Sequence, residues 1–174
     1  MQRIIQIGLM TVMLAACDNG ANYAPVTDIA MTDPIAKMGV HKSAYKESLP
    51  ESNTIISAWI WPAKGSVVDG FSSSSKGINI AGREGEAIYA TAAGKVVYCG
   101  DGLRGYGNLI IIKHNRLYLS AYAYNRINLV KEGEQVKQGQ KIAEMGDTRS
   151  DKVMLHFEIR REGKPIDPRM LLGT

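Results

Sequence analysis

From about residue 55 to the end, apolar residues recur in short runs separated by glycines, and no stretch holds a long helical period. Val67, Val68 and Phe71 form one run, and residues 87–90 (Ala-Ile-Tyr-Ala) form another. Residues 95–98 (Lys-Val-Val-Tyr) follow Gly94. The β-branched run 109–112 (Leu-Ile-Ile-Ile) predicts a central strand buried on both faces. Residues 117–123, 141–143 and 155–159 complete the set of strands. Gly82, Gly85, Gly100, Gly102, Gly105, Gly107, Gly133, Gly139 and Gly163 punctuate them as turn signals. Many short strands at close spacing predict an all-β sandwich or half-barrel.

Between Val130 and Ile142 both apolar residues and glycines recur every six positions: Val130, Val136 and Ile142, with Gly133 and Gly139 between them. Glycine there supplies the positive φ of a tight turn. The repeat resembles half-barrel units of biotinyl and lipoyl carriers, but a carrier needs a lysine at a hairpin tip flanked by methionines, and the chain has no such hairpin.

Ahead of this region the pattern changes. Arg3 precedes a mostly apolar stretch from Ile4 to Ala16, too short for a comfortable membrane span, and the stretch ends in Leu14-Ala15-Ala16-Cys17. This order of positive, apolar and small residues is a secretory signal, residues 1–16, and Leu-Ala-Ala-Cys resembles the bacterial lipobox. Lipidation of Cys17 is the expectation, with an ordinary signal peptide or a buried helix as the alternatives. A multi-chain anchor is stable, because each buried acyl CH₂ contributes about 0.8 kcal/mol. Residues 17–57 mix Ala, Asn, Asp, Ser and Lys with Pro25, Pro34 and Pro50, which predicts a disordered tether with a reach of roughly 35 Å. His41 lies within it. The folded domain is expected over 58–174.

Composition narrows the classes. Hydrophobic residues make up 45% of the chain, enough for a packed core. The net charge of +4 is scattered and comes with no nucleic-acid reader motif, so nucleic acid is excluded as the expected partner, while an anionic envelope fits. Of the two cysteines, Cys99 sits in a β-rich run and reads as a small buried residue, with a Cys17–Cys99 disulfide as the competing reading.

Several segments in order carry a family resemblance over roughly 61–172. They are Trp61-Pro62, residues 76–80 (Lys-Gly-Ile-Asn-Ile), residues 88–98, residues 104–114, residues 121–124 (Ala-Tyr-Ala-Tyr), the Gly133/Gly139 repeat, and residues 155–160 (Leu-His-Phe-Glu-Ile-Arg). Together they resemble the LytM (M23) zinc peptidases of peptidoglycan, whose fold is of the duplicated-hybrid-motif type, and in particular the NlpD-like and EnvC-like branch that activates cell-wall amidases. In active members of the family a His and an Asp four residues apart bind zinc. Ser75 and Asn79 stand at those positions here. Tyr124 and Met154 stand where the family has catalytic histidines, and His156 stands where it has the last zinc ligand. Catalytic zinc usually takes three protein ligands and an open position for water, and a lone imidazole falls short of that. Glu158 alternates onto the side of His156, and His114 is expected to be a satisfied structural histidine.

The resemblance therefore implies no catalytic residue, no bound metal and no cofactor. It implies a groove lined by Ser75, Asn79, Tyr124, Met154 and His156 that grips a protein instead. The expected partners are an N-acetylmuramoyl-L-alanine amidase, peptidoglycan, and a membrane held through the lipid anchor. The expected role is amidase activation in septal splitting and cell separation, on the periplasmic side of the envelope. Asp18 resembles an inner-membrane retention signal, whereas relatives of this branch often reside in the outer membrane. An M23 metallo-endopeptidase and a structural peptidoglycan-binding lipoprotein remain as alternatives.

Overall fold

The computed structural model describes Ile56, residues 58–148 and residues 150–173. The signal peptide, the lipidation of Cys17, the tether and His41 lie outside the described residues, apart from Ile56, which packs against the main core.

Among the described residues ten strands follow one another: β1 (Val67–Asp69), β2 (Ile78–Ala81), β3 (Ala87–Tyr89), β4 (Gly94–Gly100), β5 (Asn108–Lys113), β6 (Tyr118–Asn128), β7 (Gln135–Val136), β8 (Lys141–Met145), β9 (Met154–Arg161) and β10 (Lys164–Ile166). A 3-10 turn, Pro168–Met170, follows them. The strands join one open sheet in the order β1-β2-β9-β6-β5-β4-β7, with β10 beside β9 and with β8 bridging β3 and β6. Every pairing between them is antiparallel. The described residues form an all-β domain, as their runs of apolar residues imply.

β5 is buried along Leu109–Ile112 because the sheet is covered on both faces. Ile110 and Ile112 join the main core with Ile78, Ile80, Val96, Tyr122, Leu155, Phe157 and Ile159, while Leu109 and Ile111 turn the other way to pack with Tyr106, Ala121 and Ala123. This second, smaller cluster lies beneath the candidate site. β6 runs to Asn128, further than the apolar run 117–123 implies. Its last residues have a partner of their own, since Asn125, Ile127 and Asn128 pair with β8.

The six-residue repeat is two copies of one turn. Glu134 N–H donates to Lys131 O, and Gln140 N–H donates to Lys137 O, each at 3.1 Å. The Glu134 and Gln140 side chains accept in turn from the Lys131 and Lys137 amides at 3.1 and 3.0 Å. Each glycine amide then hooks a neighbouring strand region: Gly133 donates to Val96 O and Gly139 to Ala90 O. Their φ values are 88° and 75°, with nothing within 4 Å of a Cβ added at Gly133. Backbone strain alone should therefore set the cost of adding a methyl group there. Gly133→Ala and Gly139→Ala are each expected to lower unfolding free energy by about 1–2 kcal/mol in urea titration.

The expectation for His114 holds. Its Nδ1 lies 2.8 Å from Ala93 O and its Nε2 lies 2.7 Å from Ser120 Oγ, which is in turn 2.9 Å from the Tyr122 hydroxyl. Trp59 packs edge-on against the ring at 5.0 Å. Cys99 is a half-buried free thiol at the margin of the main core, its Sγ donating to Val130 O at 3.2 Å. Burial pushes this thiol up from its ordinary value, away from thiolate reactivity.

Candidate functional site

β9 alternates strictly. Leu155, Phe157 and Ile159 enter the main core, so Met154, His156, Glu158 and Arg160 share the opposite face. β2 lies beside β9 with Asn79 directly across from His156 and Ala81 across from Met154. This register places the Asn79 and His156 side chains next to each other.

The polar side chains there form one continuous network. His156 Nδ1 meets Asn79 Oδ1 at 2.7 Å, and the Asn79 amide donates onward to Asp69 Oδ2 at 2.9 Å. On the other side His156 Nε2 meets Glu158 Oε1 at 3.1 Å, and the same oxygen accepts from the Tyr106 hydroxyl at 2.9 Å. Arg160 donates to Glu158 Oε2 from Nε at 2.8 Å and from Nη2 at 2.7 Å. The Glu158 and Arg160 side chains are each about 1% exposed, so this ion pair is isolated from solvent.

Tyr124 tilts over His156 with ring centroids 5.5 Å apart, and Tyr106 does the same at 6.0 Å. Burial, then the carboxylates of Glu158 and Asp69, push the Tyr124 hydroxyl up, so it stays neutral. Met154 lies two residues from His156 on the same face of β9, almost fully buried. Ser75 stands in the turn before β2, and its hydrogen bonds stay within that turn: to Ser72 and to the carbonyls of Gly70 and Gly77. Of the five expected groove residues, Asn79, Tyr124 and His156 touch, Met154 flanks them, and Ser75 is spent on its own loop.

Three residues of the site, Asp69, Tyr106 and Arg160, were not singled out from the sequence. A signal for Arg160 was available, because the alternation that pairs His156 with Glu158 continues two residues further. Asp69 and Tyr106 arrive from a distant strand and a distant loop, and only the fold brings them in.

These residues do not fit a catalytic zinc. Both nitrogens of His156 are occupied by hydrogen bonds, and the nearest carboxylate is taken up by Arg160 and Tyr106. Asn79 and Ser75 offer a neutral amide and a neutral hydroxyl, where zinc sites use thiolate, imidazole or carboxylate. Around His156 the arrangement places the Tyr106 and Tyr124 rings beside the buried Glu158–Arg160 pair, with the Asp69 carboxylate at the far end of the Asn79 amide.

The sequence profile of peptidase family M23 matches residues 73–168. A Pseudomonas aeruginosa protein named lipoprotein NlpD/LppB homolog is 57% identical over 120 residues, covering 67% of this chain and 40% of that protein. The protein named murein hydrolase activator NlpD of Escherichia coli is 50% identical over 145 residues, covering 82% of this chain and 38% of that protein. The chain thus spans about two fifths of the length of these curated relatives. Among solved structures, a zinc-containing peptidase from Vibrio cholerae superposes with a TM-score of 0.60 at 31% identity, over 63% of this chain and 39% of that one. With the profile spanning more than half of its length and the strand register placing Asn79 and His156 together, the chain belongs to peptidase family M23.

Proposed function

We propose that this protein is a non-catalytic lipoprotein of the cell envelope that activates an N-acetylmuramoyl-L-alanine amidase, so that septal peptidoglycan is split and daughter cells separate. One observation carries the reading: His156, the one imidazole at this site, has its ring nitrogens at 2.7 Å from Asn79 Oδ1 and 3.1 Å from Glu158 Oε1, with no second imidazole beside it among the described residues and a neutral amide where the family's Asp is expected. The relative named a murein hydrolase activator supports the same direction. Cys17 is the lipidation site and residues 17–57 the tether, which hold the domain on the periplasmic side of its membrane.

The mechanism is a population shift. The groove around Tyr124, Met154, Asn79 and His156 binds a segment of the amidase that is accessible only in its open form. A partner open about 1% of the time becomes half open when the activator prefers the open form by about 100-fold, or about 2.7 kcal/mol. A single aromatic anchor such as the half-buried Tyr124 can supply a preference of that order.

The test mixes the full chain with purified amidases of Escherichia coli and Pseudomonas aeruginosa and dye-labelled peptidoglycan. The expected result is no dye release by the chain alone and at least tenfold faster release by one amidase in its presence. Stimulation of none of them sinks the proposal. So does release by the chain alone that a chelator stops and His156→Ala abolishes.

A further inference from the structure

Tyr124 has φ 67°, the left-handed region where a side chain clashes with its own backbone and glycine is the usual occupant. The sheet register explains how it arises. Ile110 pairs with Tyr122, yet Asn108 pairs with Asn125, so β6 carries one residue more than β5 across this interval. Against β9 the same strand remains regular through Ala123 and His156. The extra residue is a bulge, and bulges with a left-handed residue favour glycine. A tyrosine occupies this one.

Such a conformation persists only when its surroundings over-determine it. Here the lock is Tyr106. Its carbonyl accepts the Tyr124 amide at 3.0 Å, and its hydroxyl donates to the buried Glu158 at 2.9 Å. Its own amide donates to Leu103 O at 3.2 Å, closing the loop that carries it. Tyr106 thereby fastens the bulge to the Glu158–Arg160 pair, and the outcome is a Tyr124 ring held over His156. A regular strand would carry successive side chains to alternate faces, and the bulge resets that alternation.

We infer that the Tyr124 bulge is a strained device for presenting an aromatic ring to a protein partner, with Tyr106 as the positioning residue that holds it. The inference rests on the activator reading for the identity of the partner. Its physical content is separate: the backbone at this position favours glycine, and the tyrosine is there for recognition and not for folding. A rigid aromatic anchor loses little conformational freedom on binding, which suits a contact that must discriminate two states of its partner.

Three variants of the full chain test it: Tyr124→Gly, Tyr124→Phe and Tyr106→Phe. Thermal melts and dose–response curves for the amidase that wild type stimulates give the readouts. Tyr124→Gly is expected to melt within about 2 °C of wild type, because relief of strain offsets the lost ring contacts. It is also expected to need at least about tenfold more protein for half-maximal stimulation, as for a lost aromatic anchor. Tyr124→Phe keeps the ring and is expected to keep stimulation within about twofold, since its hydroxyl stays neutral and the ring carries the contact. Tyr106→Phe is expected to shift the half-maximal concentration severalfold with the plateau intact, the mark of a loosened anchor. A melting temperature for Tyr124→Gly lower by more than about 5 °C means the position is ordinary core, and the inference falls. Wild-type potency in Tyr124→Gly also overturns it while leaving the activator reading in place. Absence of stimulation by wild type sinks the activator reading itself, and the melts then decide alone whether the bulge is strained.

Discussion

Glu158→Ala is expected to lower unfolding free energy by about 3–5 kcal/mol, enough to bring a domain of ordinary stability close to unfolding. The carboxylate is fully buried and receives hydrogen bonds from Tyr106, His156 and two nitrogens of Arg160. Its removal takes from the Arg160 guanidinium, itself 1% exposed, the carboxylate that it meets through two nitrogens. The cost comes from weakened compensation of a buried charge more than from the intrinsic strength of the pair. Removing both charges together should therefore be milder. Glu158→Met combined with Arg160→Leu is expected to recover most of the loss, since a buried pair against apolar isosteres is near balance. Urea titration of the single and double variants measures both. A single variant within about 1 kcal/mol of wild type would show that water reaches this pair in solution.

Acid should weaken the fold through His114, by up to about 3 kcal/mol between pH 6.5 and pH 4. Desolvation holds its imidazole down at about 4, only partly opposed by the Ala93 carbonyl. The unfolded chain takes up a proton on this histidine below its ordinary value of 6.5. The folded chain does not do so until about pH 4, so the unfolded state binds more protons in that interval. Stability is therefore full above pH 6.5, falls as pH drops through the window, and levels off below it. Carboxylates add their own acid sensitivity. The Asp167 carboxyl is held below its usual range first by hydrogen bonding from Arg169, and that of Glu144 by Lys141 and Arg126. The His114→Gln variant isolates the histidine: its pH slope is expected to be shallower than that of wild type by the His114 share. Equal slopes in denaturant titrations at pH 7, 5.5 and 4.5 would show that the ring is not shielded in solution.

His114 and His156 lie on opposite faces of the sheet and meet different polar groups. His114 satisfies the main core through Ser120, Tyr122 and the Ala93 carbonyl, and it stays neutral at neutral pH. His156 closes a charged network on the opposite face of the sheet. Two imidazoles in one small domain thus have distinct tasks, set by whether the groups around them are neutral or ionised.

Much of this was legible in the sequence because it depends on local period and turn chemistry. The run at 109–112 announces a doubly covered strand, and the spacing of Gly133 and Gly139 announces a repeated turn with positive φ. The alternation that aligns Glu158 with His156 follows from strand geometry alone, and the structure joins them at 3.1 Å. The bulge at Tyr124 was hidden, because its usual marker is a glycine and a tyrosine stands there. Asp69 and Tyr106 were hidden for another reason: they meet the site through pairings between residues far apart in the chain, and nothing local encodes which distant group will satisfy a buried carboxylate. The tail of β6 was missed because Asn125 and Asn128 interrupt the apolar pattern, although β8 gives that backbone its partners.

The strands at the margins of this sheet are very short. β1, β3 and β10 have three residues each and β7 has two, while β1 and β3 also carry register shifts. Exposed backbone rows of that length make poor templates for a foreign strand, so self-association into fibrils is discouraged. The same brevity leaves little room for a guest to dock by ladder hydrogen bonds, which are blind to side-chain identity. On the proposed reading, any discrimination among partners then falls to side chains, and natural variation in it should concentrate around the Tyr124 ring.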